Sequence, residues 1–271
     1  MIDSVFPRRR RDGVRKMSER RAAILKYILD QGQASIDELC SRFPDASSVT
    51  IRRDLARLEE TGAIIRFHGG ARANVQESQL EPFYYVREGE NAALKEKLAI
   101  LAASFIDERR ALFIDSGTTT MALAKELPDK NLTIVTTAPN IALYVAAKKP
   151  RCSVIMTGGT VNRNTLSCSG LGSAESLSKL NVDIAFIGAS GYSQSAGFTA
   201  GEYFESELKR LVLSKAEKVV MLIDSSKIGK NMPYTFADPE DIHVLVTDKG
   251  LPAEIEALFI DKGVQVIKAE P

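Results

Sequence analysis

Tryptophan is absent, and histidine occurs only twice, as His68 and His243, far apart in the chain. Cysteine is nearly as scarce: Cys40, Cys152 and Cys168 are widely spaced, with no CxxC pair. No His/Cys cluster with metal-ligand spacing exists, so neither a metal site nor a cofactor is expected. The odd, scattered cysteines exclude a disulfide scaffold and read as small buried side chains kept reduced in the cytoplasm. No apolar run approaches the roughly 18 to 20 residues that span a bilayer. Arginines at positions 8–11 are not followed by the apolar stretch of a secretory signal. What is present is ordinary globular composition, 44% apolar and 26% charged over 271 residues. That suits a small domain joined to a medium one.

Charge is balanced overall but unevenly placed. Residues 1–75 hold 15 Lys/Arg against 10 Asp/Glu, a net of +5; the remaining 21 against 25 give −4, and the two sum to the chain's +1. A basic head on a mildly acidic body fits a nucleic-acid-binding module carrying a second domain. Five charges on 75 residues also fit an ordinary surface, so the residue pattern decides. Residues 1–17 read as a basic disordered tail, and Met17 offers a second start site.

From Ser18 the pattern turns helical, with Ala23, Ile24, Tyr27 and Ile28 on one stripe and Gly32 as the stop signal. A second helix over 35–43 opens on Ser35 with Glu38 three residues on, a capping box. Ser47 caps a third helix running to about Thr61, ended by Gly62. Ile51, Leu55 and Leu58 share its inner face, while Val49, Arg53 and Arg57 lie opposite, flanked by Thr50 and Arg52. Arginine forks onto guanine O6/N7 or phosphate, and hydroxyls reach phosphate oxygens, so this face suits the major groove. Residues 64–72 then read as a two-stranded wing, with Arg66, His68 and Arg72 available to the DNA backbone or minor groove. Domain limits follow: 18–72 for the winged helix-turn-helix, 73–90 as a polar linker containing Pro82, and 91–271 for the body.

The run Ser48-Val-Thr-Ile-Arg-Arg-Asp-Leu55, with Leu58-Glu59, Gly62 and Arg66-Phe-His-Gly-Gly-Ala71, resembles the DNA-binding signature of DeoR-type transcriptional regulators. The resemblance implies a winged helix-turn-helix on operator DNA, most often acting as a repressor. Ser48, Val49, Thr50, Arg52, Arg53, Arg57, Arg66, His68 and Arg72 are the expected DNA-binding residues.

In the body, strand-like runs at 111–114, 132–136, 153–156, 184–187, 219–223, 244–246 and 264–267 alternate with helical patterns such as 92–106, 120–126, 204–216 and 253–261. Such alternation predicts an α/β fold with a doubly wound, largely parallel sheet. Ligands of such folds sit at the C-terminal strand ends. Those ends hold Asp115-Ser-Gly-Thr-Thr-Thr120, Asn140, Thr157-Gly-Gly-Thr160, Gly188-Ala-Ser-Gly191 and Asp224-Ser-Ser-Lys227. Glycine lets a ligand approach, amides open at a helix start and hydroxyls add donors, which reads as a phosphate cradle. Neither a P-loop lysine nor GxGxxG accompanies it, so nucleotides are not indicated. Each loop alone reads equally as a capped turn; their convergence, with few aromatic walls, favours a polyhydroxylated, phosphorylated ligand.

The same residues, with Phe186-Ile-Gly-Ala189, Gly197-Phe-Thr199, Glu205, Glu207 and Lys209, resemble the effector domain of DeoR-type regulators. That domain is similar to ribose-5-phosphate isomerase and glucosamine-6-phosphate deaminase, which implies sugar-phosphate binding. By this resemblance the 116–119 loop holds the phosphate, while Glu205 or Glu207 and Lys227 face the sugar. The expected effector site is Asp115, Ser116, Gly117, Thr118, Thr119, Asn140, Gly159, Glu205 and Lys227. Ala200-Gly201-Glu202 departs from the family's Thr and Pro-Asn-like pair, a difference that bears on ligand preference. The expected protein is a cytoplasmic homo-oligomer, dimer or tetramer, that represses carbohydrate-metabolism genes and leaves DNA when a phosphorylated sugar or polyol binds. The alternative is a sugar-phosphate isomerase with a DNA-binding head. Isomerisation needs a positioned base, and the 188–192 loop has no carboxylate, so no enzyme activity is expected.

Overall fold

A computed structural model describes residues 8–60, 62–73 and 83–270, which divide into two units, Met1–Ala92 and Ala93–Pro271. In the first unit α1 (Arg8–Gln31) ends where Gly32 takes φ +78°, a left-handed conformation that suits glycine. The chain reverses there into β1 (Gln33–Ser35) and α2 (Ile36–Arg42). The expected capping box is present: Glu38 N donates to Ser35 Oγ at 3.2 Å, and Ser35 N donates to the Glu38 carboxylate at 2.7 Å. The Ser35 N–H, joined by the Ser35 hydroxyl at 2.9 Å from the same carboxylate, holds the Glu38 carboxyl below its ordinary range. Ser47 caps α3 (Ser48–Glu60), accepting from Thr50 N at 3.3 Å. Antiparallel β2 (Ile64–Phe67) and β3 (Gly70–Ala73) follow.

The wing is three-stranded rather than two-stranded, in the order β1-β3-β2. The reversal at Gly32 lays β1 along β3, and Ala73 N donates to Gly32 O at 2.8 Å. Ile24, Leu25, Ile28, Leu39, Ile51, Leu55, Leu58 and Ile64 form the core. Ala23 of the expected stripe is exposed, because the buried face of α1 is rotated to include Ala22 and Leu25.

Two sequence expectations change. Residues 8–17, expected as a disordered tail, continue α1 helically, whereas residues 1–7 lie outside the described residues. The expected linker 73–90 begins with the last residue of β3 and ends in α4 (Tyr84–Gly89). Phe83 and Val86 join the core, since apolar side chains there gain more from burial than a linker would from exposure. Residues 74–82 lie outside the described residues.

In the second unit α5 (Ala92–Ala103) leads into β4 (Ala111–Ile114), α6 (Thr118–Glu126), β5 (Thr133–Thr136), α7 (Pro139–Lys148) and β6 (Ser153–Met156). Short β7 (Thr160–Val161) and β8 (Cys168–Ser169) pair, then α8 (Leu171–Ser178) returns the chain to β9 (Val182–Gly188). β10 (Gly191–Ser193) and β11 (Gly197–Ala200) precede α9 (Tyr203–Lys215), β12 (Ala216–Leu222) and β13 (Tyr234–Ala237). β14 (Val244–Asp248), α10 (Ala253–Asp261) and β15 (Gln265–Ala269) complete the unit.

Seven parallel strands form the main sheet in the order β15-β14-β12-β9-β4-β5-β6. Alternate residues feed two cores, as a two-residue period requires. Leu112, Ile114, Ile134, Phe186 and Leu222 face α5, α6 and α7, whereas Phe113, Val135, Ala185, Ile187 and Met221 face α8, α9 and α10. Strand order reverses between β4 and β9, the switch point at which such sheets open a crevice. β10, β11 and β13 form a separate antiparallel sheet, whose Tyr192, Phe198 and Phe236 pack with Phe259.

Candidate functional site

On α3, Ile51, Leu55 and Leu58 are buried, and Ser48, Val49, Arg52, Arg53 and Arg57 are exposed. Asp54 is also buried and receives Arg20 Nε at 2.7 Å, tying α3 to α1. Sequence reasoning missed this pair. The available signal was an acidic residue between Ile51, Leu55 and Leu58 on the inward face.

Three expected DNA contacts are already engaged within the chain. Thr50 is partly buried, and its hydroxyl lies 3.0 Å from Ser47 Oγ. Helix capping therefore competes with phosphate for this group. Arg57 Nη1 bonds Glu60 at 2.8 Å. Glu59 accepts from Arg66 N at 3.0 Å and from Arg66 Nε at 2.6 Å, and these bonds hold its carboxyl below the usual range. Both ion pairs are solvent-exposed and hence weak, so a phosphate can displace the carboxylate. His68, in the wing turn, and Arg72, on β3, are exposed.

In the second unit the switch point is pinned by a buried ionic cluster. Asp115 ends β4 and accepts Gly188 N at 3.0 Å, across from β9. Lys209 of α9 bonds the same Asp115 oxygen, donates to Gly188 O at 2.9 Å and lies 3.3 Å from Glu205 Oε1. The ammonium donates to Asp115 and to Gly188 O, and Glu205 faces its charge as an ion pair. Lys209 thus stitches β4, β9 and α9 together and fixes the Glu205 carboxylate at the sheet end. Its ammonium also sits 5.2 Å from the Phe236 ring centroid.

Glu205 is buried beside this cluster, while Glu207 turns outward to Arg210, which separates the two glutamates that the sequence left equivalent. Lys209 was quoted in the motif yet not expected in the site. Glu205, Leu208, Lys209 and Val212 follow the i, i+3, i+4, i+7 stripe of a helix, and that stripe was the readable signal.

Next to the cluster, α6 starts at Gly117, whose φ of +151° and lack of a side chain leave its first turn without a side-chain cap. Ser116 and Thr118 are buried there, Thr119 is half-buried, and Thr120 Oγ1 donates back to Gly117 O at 3.2 Å. One strand away, Pro139 opens α7 and Asn140 follows it; the Asn140 Oδ1 is buried with no hydrogen-bond partner. Thr136 Oγ1 donates to Ile114 O at 2.6 Å and accepts Ala138 N at 3.1 Å, fixing the ends of β4 and β5. The Thr157 hydroxyl beyond β6 is likewise buried without a partner.

Gly159 follows β6 and Lys227 follows β12. Their strands, β6 and β12, are four places apart in the sheet, roughly 19 Å at the usual strand spacing. A Cβ at Gly159 would come 2.4 Å from Ser173 Oγ and 2.6 Å from Ser169 O. Packing under α8 therefore requires a glycine at this position. Lys227 sits half-buried in the turn after β12, where Asp248 holds Ser225 N at 2.6 Å and Ser225 Oγ at 2.8 Å.

No group of three or more His, Cys, Asp or Glu among the described residues could hold a metal ion. Nor is any described helix long and apolar enough to cross a membrane.

Residues 20–77 match the DeoR-like helix-turn-helix domain, and residues 90–249 match the DeoR C terminal sensor domain. The chain is 36% identical to the HTH-type transcriptional regulator IolR of Bacillus subtilis over 84% of this chain and 90% of that one. It is 34% identical to GolR of Listeria innocua (93% and 98%) and 33% identical to GlpR of Haloferax volcanii (92% and 97%). Among solved structures, ribose 5-phosphate isomerase A of Methanocaldococcus jannaschii aligns with 51% of this chain and 55% of its own. That alignment has 18% identity and a TM-score of 0.39. With both family domains in sequence and relatives matched over nearly their whole lengths, the chain belongs to the DeoR family of DNA-binding transcriptional regulators.

Proposed function

We propose that this regulator is a repressor of carbohydrate-metabolism genes, released from its operator when a phosphorylated sugar or polyol fills the crevice at the β4–β9 switch point. The observation that carries this reading is the pairing of two chemistries at one sheet end. An uncapped helix start with Ser116, Gly117 and Thr118 suits a phosphate. The Glu205 carboxylate, fixed by Lys209, suits a sugar hydroxyl. Asn140, one strand away, adds a buried acceptor without a partner. An oligomer sets two winged heads on half-sites of duplex DNA, because a single head buries too little surface for specificity.

The effector must bind one arrangement of the body better than the other; equal affinity shifts nothing. A coupling of about 1–3 kcal/mol loosens the operator roughly 5- to 150-fold. The isomerase alternative would use Glu205 as the base, but both carboxylates at the switch point are already ion-paired to Lys209. Native mass spectrometry of freshly purified protein, backed by a melting screen of pentose, hexose and polyol phosphates, tests the proposal. A retained or stabilising phosphorylated carbohydrate is expected. A flat screen with no retained ligand would overturn the effector assignment, and turnover of any sugar phosphate would favour the enzyme.

A further inference from the structure

Val49 is the second residue of α3 and is 74% exposed. The apolar stripe of α3 is fully accounted for without it, because Ile51, Leu55 and Leu58 fill the core. At 100° per residue, Val49 and Arg53 straddle the line directly opposite that stripe. Among the described residues, the other exposed large apolar side chains of this unit lie on the wing, at Ile65 and Phe67. Phe67 has an explanation within the hairpin: a Cβ at Gly70 would come 2.8 Å from its Cζ, so the ring lies over that glycine. Val49 has no such cover.

The opening turn of a recognition helix meets base edges. In the major groove the apolar feature those edges offer is the thymine C5-methyl. We infer that Val49 is a specificity-determining residue that reads a thymine methyl next to the base read by Arg53. The inference rests on α3 lying in the major groove. Val49 and Arg53 are one turn apart, about 6 Å of rise, slightly less than two 3.4 Å base steps. The thymine therefore lies one or two base pairs from a guanine contacted by Arg53. Thr50 is a poorer reader, since its hydroxyl is shared with Ser47.

The test uses the full chain and a duplex selected by it from a random library. Each thymine of the selected site is replaced in turn by deoxyuridine, which lacks only the methyl. The expected result is one thymine per half-site at which affinity falls roughly fourfold, the value of about 0.8 kcal/mol for one buried methyl. Val49→Ala should be indifferent to that replacement, and Val49→Ile should keep the sensitivity. If no thymine methyl matters, or if Val49→Ala keeps the same sensitivity, the inference fails while selected DNA binding stands. If selection enriches no sequence at all, the failure lies with major-groove reading itself. Because Val49 lies outside the core, these variants should fold, which a melting curve identical to that of the parent confirms.

Discussion

Replacing Lys209 with methionine keeps the length of the side chain and removes its charge from between the buried Asp115 and Glu205 carboxylates. Lys209 is 4% exposed and Asp115 2% by side chain, so water cannot compensate. Breaking a buried pair by deleting one partner costs about 3–5 kcal/mol. For a unit of this size each kcal/mol lowers the melting temperature by roughly 2–4 °C. The Lys209→Met variant should therefore melt about 6–20 °C lower in the body transition, measured by scanning calorimetry. Removing all three charges together (Asp115→Asn, Glu205→Gln, Lys209→Met) leaves neither carboxylate charged beside a missing ammonium, so that variant should melt above Lys209→Met alone. Melting of Lys209→Met within about 2 °C of the parent would refute the argument that this lysine holds the switch point together.

Arg53→Ala should weaken operator binding by about 1–3 kcal/mol, the value of a bidentate base contact; the melting shift from effector should stay unchanged, and equal loss of both would contradict separate sites. Arg20→Ala orphans a carboxylate that is 2% exposed, whereas Asp54→Ala orphans a guanidinium that is 22% exposed and can reach water. Hydrogen exchange across α1 and α3 should consequently rise more in Arg20→Ala, and equal effects would count against the burial argument. Burial lifts the Cys152 and Cys168 thiols above 9.0. Folding favours their protonated forms, so this contribution is present below the unfolded pKa and lost as pH rises through the folded one. Stability should fall above about pH 9, less steeply in a Cys152→Ala, Cys168→Ala variant; identical slopes would contradict the assignment.

How much of the fold could be read from sequence depended on whether the pattern was local. The strands of the main sheet announce themselves because residues such as Leu112, Phe113 and Ile114 feed cores on both faces and read as unbroken apolar runs. The capping box at Ser35 and Glu38 was equally local. α7 was harder to read because exposed Leu143 blurs the buried stripe of Ile141, Ala142 and Val145, which leaves Pro139 at the first position as the clearest cue. The β10-β11-β13 sheet escaped for a different reason. Its strands are three or four residues long, and Phe198 finds its partner Ala237 only through a pairing far along the chain.

The same division holds for the sites. The outward face of α3 follows from 3.6-residue geometry, and the placement of Asp115 follows from its position after a strand. The ion pairs Arg20–Asp54 and Lys209–Asp115 join residues 34 and 94 apart in sequence, and only the assembled cores bring them together. The packing demand at Gly159 was not legible either, because a glycine required by packing and one opened for a ligand look alike in sequence.

The central claim is tested most directly by fluorescence anisotropy of the full chain on its selected operator duplex, titrated with the sugar or polyol phosphate that shifts its melting most. The account predicts that saturating effector weakens operator affinity roughly 5- to 150-fold, and that Thr118→Val, altered only at the helix start, needs far more effector for the same release. Unchanged operator affinity in the presence of an effector that demonstrably binds would contradict it.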